Sequence, residues 1–333
     1  METTTKSMEE KNYNKSEFYI GLTLAISSSI FIGSSFIIKK LSLIRLARKG
    51  SLRAGAGGFG YLKDWLWWLG FLTMGIGEMA NFAAYAFAPA SLVTPLGALS
   101  VLVSAVLASK CLKETLNILG KLGCLLCMLG ATIMVIHAPK EEQIESLDEL
   151  VRKLRDSSFL NYVAITLTIV IVILIYVGPR YGNRHVTVYV TLCSAIGSLT
   201  VMACKGLGLA IKDSLSATSI NSHPNPQLLF GLMVVVVVCI CIQMNYLNKV
   251  LDIFSTSVVT PIYYVLFTTM VIIASAILFK EWEKMDNQDM LGGLCGFLVT
   301  VVAIFLLNAF KDSQFQPLLR QSSRDYGSNV YFS

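Results

Sequence analysis

Apolar residues run along this chain in nine long blocks, at 18–38, 66–87, 91–111, 118–137, 159–178, 186–211, 228–248, 258–279 and 290–310, and polar residues gather in the short gaps between them. Each block approaches the roughly 20 residues that a helix needs to cross a bilayer. In lipid every backbone amide must be bonded within its own segment, so each block predicts a helix. The expected fold is therefore an all-α polytopic membrane protein of nine transmembrane helices.

The blocks also repeat. Ser91-Leu92-Val93-Thr94-Pro95 opens the third, and Ser257-Val258-Val259-Thr260-Pro261 opens the eighth; the two runs end at Lys113-Glu114 and Lys280-Glu281. Ile32-Gly33-Ser34 with Lys39 in the first block is echoed by Ile196-Gly197-Ser198 with Lys205 in the sixth. Five crossings separate the matching phrases, so the two units point in opposite directions. The reading is two inverted four-helix repeats, 18–137 and 186–310, joined by an outer loop and a connecting fifth span (138–185), with tails at 1–17 and 311–333. Inverted halves of this kind place substrate near the midplane and work by rocking one half against the other.

Composition agrees: 54% of the residues are hydrophobic and 14% charged, too apolar for one water-soluble core. Lys39, Lys40, Arg45, Arg48, Lys49, Arg53 and Lys63 crowd the segment after the first span against Asp64 alone, which sets that segment in the cytosol. Nine crossings then leave 1–17 and the acidic loop 138–158 outside and the C-terminal tail inside. Leu147, Leu150, Val151 and Leu154 in that loop fall at helical spacing and read as a short interfacial helix. The residues before Phe18 are polar, so no signal peptide is expected there.

The one acidic residue deep inside a span is Glu78, one turn before Asn81. An ionisable group at that depth is costly, and by default it marks a functional site. The corresponding stretch of the second repeat holds Gln243, Asn245 and Asn248, so Glu78 and Asn81 on one side and amide oxygens on the other form the expected ion site, with Glu78, Asn81 and Asn248 as metal ligands. A hard, oxygen-seeking cation suits such a set, in which one carboxylate and neutral oxygens leave room for bound water. The competing role for Glu78 is a charge pair with Lys205, read as the one Lys within a span. Thr94, Pro95, Thr260 and Pro261 are expected at helix starts, where Pro loses no hydrogen bond and Thr can cap, and where a gate can form. Tyr263, Tyr264, Ser27, Ser28 and Ser29 could line a cavity; as single residues they read as packing.

Other signals carry less. Gly55-Ala56-Gly57-Gly58-Phe59-Gly60 has dinucleotide-loop spacing but follows no strand and reads as a flexible linker. Cys124 and Cys127 form a CxxC inside a span and read as packing residues. No phosphate-binding loop is present, so ATP drive, a cofactor and an enzymatic activity are not expected, and neither is a nucleic-acid partner. Gly292 and Gly296 form a GxxxG face expected to support a weak homodimer within the bilayer.

Spans that run into Thr-Pro and end in Lys-Glu resemble the repeats of the drug/metabolite transporter superfamily. Phe18-Tyr19-Ile20-Gly21, Trp65-Leu66-Trp67-Trp68, Asn81-Phe82-Ala83-Ala84-Tyr85-Ala86-Phe87-Ala88-Pro89, Val135-Ile136-His137-Ala138-Pro139-Lys140-Glu141-Glu142 and Phe279-Lys280-Glu281-Trp282 closely resemble the NIPA family of magnesium transporters. The resemblance spans about 17–312. It implies a nine-span, N-out protein that moves Mg²⁺ and, in some members, other divalent cations, at the plasma membrane and in early endosomes. Two alternatives stand beside divalent-cation transport. A carrier of an organic metabolite would need several basic residues in its cavity, for which Lys205 is the single candidate. A non-transporting membrane adaptor would use the basic cytosolic segment as a phosphoinositide or partner site.

Overall fold

The computed structural model describes residues 2–87, 96–114, 118–138, 152–216, 226–279 and 286–309; a few side chains within these, those of 2–18 and of Lys205 included, lie outside the description. Every long element among the described residues is helical: α1 Glu2–Arg48, α2 Trp65–Phe87, α3 Leu99–Leu112, α4 Ile118–Ile136, α5 Ser157–Tyr181, α6 Val186–Ser216, α7 Pro226–Ile253, α8 Thr256–Phe279 and α9 Asn287–Ala309. The ends of α3 and the middle of α5 widen into a π turn, at Ala108–Leu112 and Ile173–Val177. Among the described residues seven helices are long and apolar enough to cross a membrane: Tyr19–Arg48 of α1, Ile118–Ile136, Ser157–Tyr181, Val186–Gly208, Phe230–Ile253, Thr256–Leu278 and Asn287–Leu307. This is a multi-pass membrane protein. The two expected spans outside that set are α2, whose tryptophans, glycines, Glu78 and Asn81 dilute its hydropathy, and α3, which is short as described because Thr94, Pro95 and their neighbours lie outside the described residues.

Large apolar side chains cover the outside, with Met79 74%, Phe82 81% and Phe305 73% exposed on the bare chain. In water such a surface would aggregate; against lipid tails it is the expected one.

The chain divides into two compact units. The first holds residues 1–132, 251–261 and 299–333. Its closest pair is α1 with α2, and glycines set the approach. A side chain at Gly70 would meet Lys39 Cγ at 2.9 Å, and one at Gly77 would meet Ile32 Cγ1 at 2.7 Å. Further along, Ala84 packs with Ala25. The order reverses along the two helices, so they run antiparallel, and small residues on α2 let the backbones close as they do in membrane bundles. Asp64 begins α2: its carboxylate accepts from Leu66 N–H and from Ser42 Oγ, at 3.4 and 2.7 Å.

At one end of this unit a polar network replaces lipid-facing surface. Arg53 donates from Nη2 to the Asp252 carbonyl at 2.9 Å and to its Oδ1 at 3.1 Å, and Gly55 N–H donates to Asp252 Oδ2 at 2.9 Å. Lys40, buried, donates to the carbonyls of Leu251 and, at 2.9 Å, Phe254. The glycine-rich segment is thus clipped rather than loose: it forms 3₁₀ turns at Ala54–Ala56 and Gly60–Lys63, with Gly57 at φ +89°, a conformation a side chain would strain. Lys39 and Lys40 belong to α1 and not to the following loop, because the helix continues to Arg48. Lys205 is therefore not the sole lysine in a span.

Glu114 reaches the start of α8. Lys113 turns the chain at φ 55°, and the Glu114 carboxylate accepts from Thr256 N–H, Ser257 N–H and Ser257 Oγ, each at 3.0 Å. It therefore caps α8, and Thr260 does not: Thr260 Oγ1 donates to the Thr256 carbonyl at 3.0 Å from inside the helix. Pro261 also lies inside α8. Having no N–H, it frees the carbonyl four residues back, and the Cys124 thiol donates to that Ser257 carbonyl at 3.7 Å.

The second unit holds residues 133–250 and 262–298. One of its clusters joins Phe159 and Tyr162 of α5, Met202 of α6, and Ala274 and Leu278 of α8; Tyr162 Oη and Ser198 Oγ share a buried hydrogen bond of 2.7 Å. A second joins α5 and α6 through Val170, Ile173, Leu192, Ala195 and Ile196. In α9, a side chain at Gly292 would meet the His137 ring at 2.3 Å, and Gly296 is buried. The GxxxG notch expected to pair two copies is filled from within the chain.

Candidate functional site

In α2 the residues facing α1 recur every three or four positions: Trp67, Gly70, Met74, Gly77, Asn81 and Ala84. Glu78 lies at the border of this stripe. Its side chain is exposed on the bare chain. Among the described residues its carboxylate makes neither a hydrogen bond nor a direct ion pair. Asn81 follows three residues on, on the same side, and its Oδ1 is buried without a hydrogen-bond partner among the described residues.

The facing helix adds a third oxygen. Ser28 is one turn before Ile32, which packs on Gly77, and one turn after the level of Ala25, which packs with Ala84. The antiparallel register therefore brings Ser28 level with Asn81. Ser28 is fully buried, and its Oγ also lacks a partner among the described residues. Most buried polar atoms are hydrogen-bonded, so two orphans at one level, a turn from a carboxylate, are an unsaturated oxygen set.

The cation nearest this set is Lys39. Its side chain is fully buried in α1, crosses α2 in the space that Gly70 leaves, and donates from Nζ to Met74 Sδ at 2.9 Å while lying 5.4 Å from the centre of the Phe36 ring. Gly70, Met74 and Glu78 are four residues apart, one above another on the helix. The ammonium, held at Met74, therefore lies one turn short of the level of Glu78.

The amides expected from the second repeat lie in the second unit. Gln243 is buried and its side chain donates from Nε2 to Tyr263 Oη at 2.7 Å, while its main-chain carbonyl accepts from Cys193 Sγ at 3.5 Å, so α6 and α8 hold it. Asn245 is partly buried, and Asn248 is completely buried. Thr94, Pro95 and the Lys205 side chain lie outside the described residues. Sequence reasoning missed Lys39 because the first apolar block ends just before it, and it placed Ser28 among packing residues. The signal for both was the small-residue stripe on α2, which fixes what lies opposite. No three of His, Cys, Asp and Glu gather among the described residues to hold a resident metal.

A lone carboxylate with neutral oxygens, inside a polytopic bundle, is a place where a hard cation can bind and leave. A family model described as "Magnesium transporter NIPA" matches residues 16–313. The chain belongs to the NIPA magnesium transporter family. Among its relatives, "Magnesium transporter NIPA3" of Homo sapiens is 56% identical over 300 residues, covering 90% of this chain and 72% of that protein. "Magnesium transporter NIPA4" of Homo sapiens is 50% identical over 309 residues, 93% of this chain and 76% of the relative. "Probable magnesium transporter NIPA1" of Arabidopsis thaliana is 50% identical over 292 residues, 88% and 86% respectively. No solved structure matches the chain. Family membership covers both the α1–α2 stripe and the polar network, since each falls inside the matched residues.

Proposed function

We propose that this chain carries Mg²⁺ across a membrane by alternating access, with Glu78 as the charged ligand and Asn81 and Ser28 as neutral oxygen ligands, the remaining positions being filled by water. The observation that carries the reading is the Glu78 carboxylate, unpaired in direct contact among the described residues, with the unpartnered Asn81 Oδ1 one turn away. Mg²⁺ gives up its water shell reluctantly, so one charge and a few carbonyl or hydroxyl oxygens make a weak site that releases its ion, as transport requires. Asn245 and Asn248 are the second group of candidate ligands; Gln243 is the weakest because Tyr263 already engages its amide.

The transporter reading takes α2 and α3 as crossings, giving nine spans in two inverted halves with an outside N-terminus. Two features support it. Lys40, Arg53, Glu114 and Asp252, which nine crossings all set at the cytosolic ends, form one polar network. Gly33 of the first half and Gly197 of the second occupy matching places: a side chain at Gly33 would meet Val103 of α3, and one at Gly197 would meet Phe267 of α8, the helices that the Thr-Pro phrases make equivalent. The plasma membrane and early endosome are the expected residences.

The deciding experiment is Mg²⁺ flux into proteoliposomes of the purified chain, wild type against Glu78→Gln. Gln keeps the shape and one carbonyl oxygen but does not balance a dication. Flux falls to the level of empty liposomes while the variant stays monodisperse. Full flux from a folded Glu78→Gln variant overturns the site.

A further inference from the structure

We propose that Lys39 is the resident counter-charge of the Glu78 site: it occupies the field of the carboxylate when no ion is bound, and by opposing Mg²⁺ it sets the affinity and lets the ion go. The inference rests on Glu78 being the ion's charged ligand. The geometry carries the rest. A lysine with no exposed surface, held inside a span, is expensive unless a partner receives it. Yet its direct contacts are a thioether sulfur, a weak acceptor, at 2.9 Å and an aromatic face at 5.4 Å. The one full negative charge on that stripe is Glu78, one turn beyond Met74. Gly70 makes the arrangement possible, because a side chain there would strike Lys39 at Cγ, 2.9 Å away, and divert it.

The consequence is a site whose charge is balanced while empty. The ammonium, held at Met74 one turn from the level of Glu78, forms no contact pair with the carboxylate among the described residues, which leaves the Glu78 oxygens to an incoming ion. When Mg²⁺ arrives, the ion and the lysine repel each other across a medium of low dielectric, where charges act strongly. Lys39 stays on its helix, and the bound state is raised in free energy without removal of any ligand. Without that charge the same carboxylate site would bind the dication more tightly and release it more slowly. Lys39 is thus a positioning residue of the empty state and an affinity-setting residue of the loaded one.

The test compares Mg²⁺ flux in proteoliposomes, read as half-saturating concentration and maximal rate, for wild type, Lys39→Met, Lys39→Arg, Glu78→Gln and the double variant Lys39→Met with Glu78→Gln. Lys39→Met is expected to lower the half-saturating Mg²⁺ by about tenfold and to lower the maximal rate as well, because release slows. Lys39→Arg keeps the charge and stays within about threefold of wild type in both. MgCl₂ titration of the purified chains in nanodiscs follows binding separately: the tightening caused by Lys39→Met disappears when Glu78 is already Gln. Unchanged or weaker binding in Lys39→Met, with binding still lost in Glu78→Gln, overturns the role of Lys39 and leaves the Glu78 site standing. Wild-type binding in folded Glu78→Gln overturns the site and this inference with it. If Lys39→Met and Lys39→Gln are both lost as folded protein and adding Glu78→Gln restores them, Lys39 is a structural counter-ion and the proposal fails.

Discussion

The Glu114 carboxylate caps α8 through Ser257, accepting both its N–H and its Oγ at 3.0 Å, with Thr256 N–H as a third donor. The Lys113-Glu114 phrase that follows α3 thus holds the Thr256-Ser257 phrase that opens α8. A carboxylate at a helix N-terminus meets unsatisfied N–H groups and the positive end of the helix dipole together. Glu114→Ala is expected to destabilise the chain by about 2 kcal/mol, and Glu114→Gln by less, read as thermal unfolding in detergent. Lys113→Gly is the control: with φ at 55°, glycine there is neutral or stabilising by up to about 1 kcal/mol.

Arg53 and Asp252 are unequal partners. The Asp252 side chain is 5% exposed and that of Arg53 45%. Removing Arg53 leaves a buried carboxylate with the Gly55 N–H and the field of Lys40, whereas removing Asp252 leaves a cation that water can reach. Arg53→Ala is therefore expected to cost about 3 kcal/mol, the low end for breaking a buried pair, and Asp252→Ala less. A double-mutant cycle by thermal unfolding checks this: additive single effects would show that the two residues do not act as a pair.

Gly292 and Gly293 are neighbours with opposite surroundings. A side chain at Gly292 would overlap the His137 ring, while one at Gly293 meets nothing within 4 Å. Gly292→Leu is expected to lose about 1–3 kcal/mol through overpacking and to broaden the size-exclusion peak, and Gly293→Leu to behave as wild type. Loss of crosslinked dimer in Gly292→Leu with unchanged thermal stability would return the glycine face to self-association.

Most of the bundle was legible in the sequence because the bilayer imposes one length and one kind of surface on every span. Helix ends were less so. The first apolar block stops before Lys39 on hydropathy, but the helix runs on to Arg48, since Lys39 and Lys40 find partners inside the protein that a hydropathy count does not register. Thr260 and Pro261 read as a helix start, and the start lies a turn earlier because Glu114, distant in sequence, supplies the cap. Glu78 and Asn81 were visible as polar residues in an apolar block. Ser28 and Lys39 were not, because their importance comes from the α1–α2 register that Gly70 and Gly77 set.

Topology follows from the same network. Lys49 is exposed just beyond α1, whereas Arg53 is engaged by Asp252 and is a poor labelling site. Lys49→Cys and Lys113→Cys are expected to resist a membrane-impermeant maleimide on intact cells and to react after permeabilisation, and Glu145→Cys to react on intact cells. Reaction of Lys49→Cys without permeabilisation would reverse the orientation. Reaction of Lys113→Cys alone would put an odd number of crossings, one in place of two, between these residues.

The driving force has its own signature. Each elementary charge moving across the membrane gains about 2.3 kcal/mol per 100 mV, so Mg²⁺ entering along an inside-negative potential gains about 4.6 kcal/mol per 100 mV. Among the described residues Glu78 is the one carboxylate in the interior of an apolar helix, Asp252 lying at the end of α7, and Lys39 remains with the protein through the cycle. Uptake is therefore expected to be electrogenic, with two charges moving per Mg²⁺ and no sodium or proton exchanged. In proteoliposomes clamped with potassium and valinomycin, the voltage at which flux reverses should shift by about 30 mV for each tenfold Mg²⁺ gradient, the value for two charges. Exchange with one proton leaves one net charge per cycle and a shift of about 59 mV. A shift near 59 mV, or flux abolished by removing a sodium or proton gradient at fixed voltage, would mean that a second ion shares the path and that another titratable group must accompany Glu78.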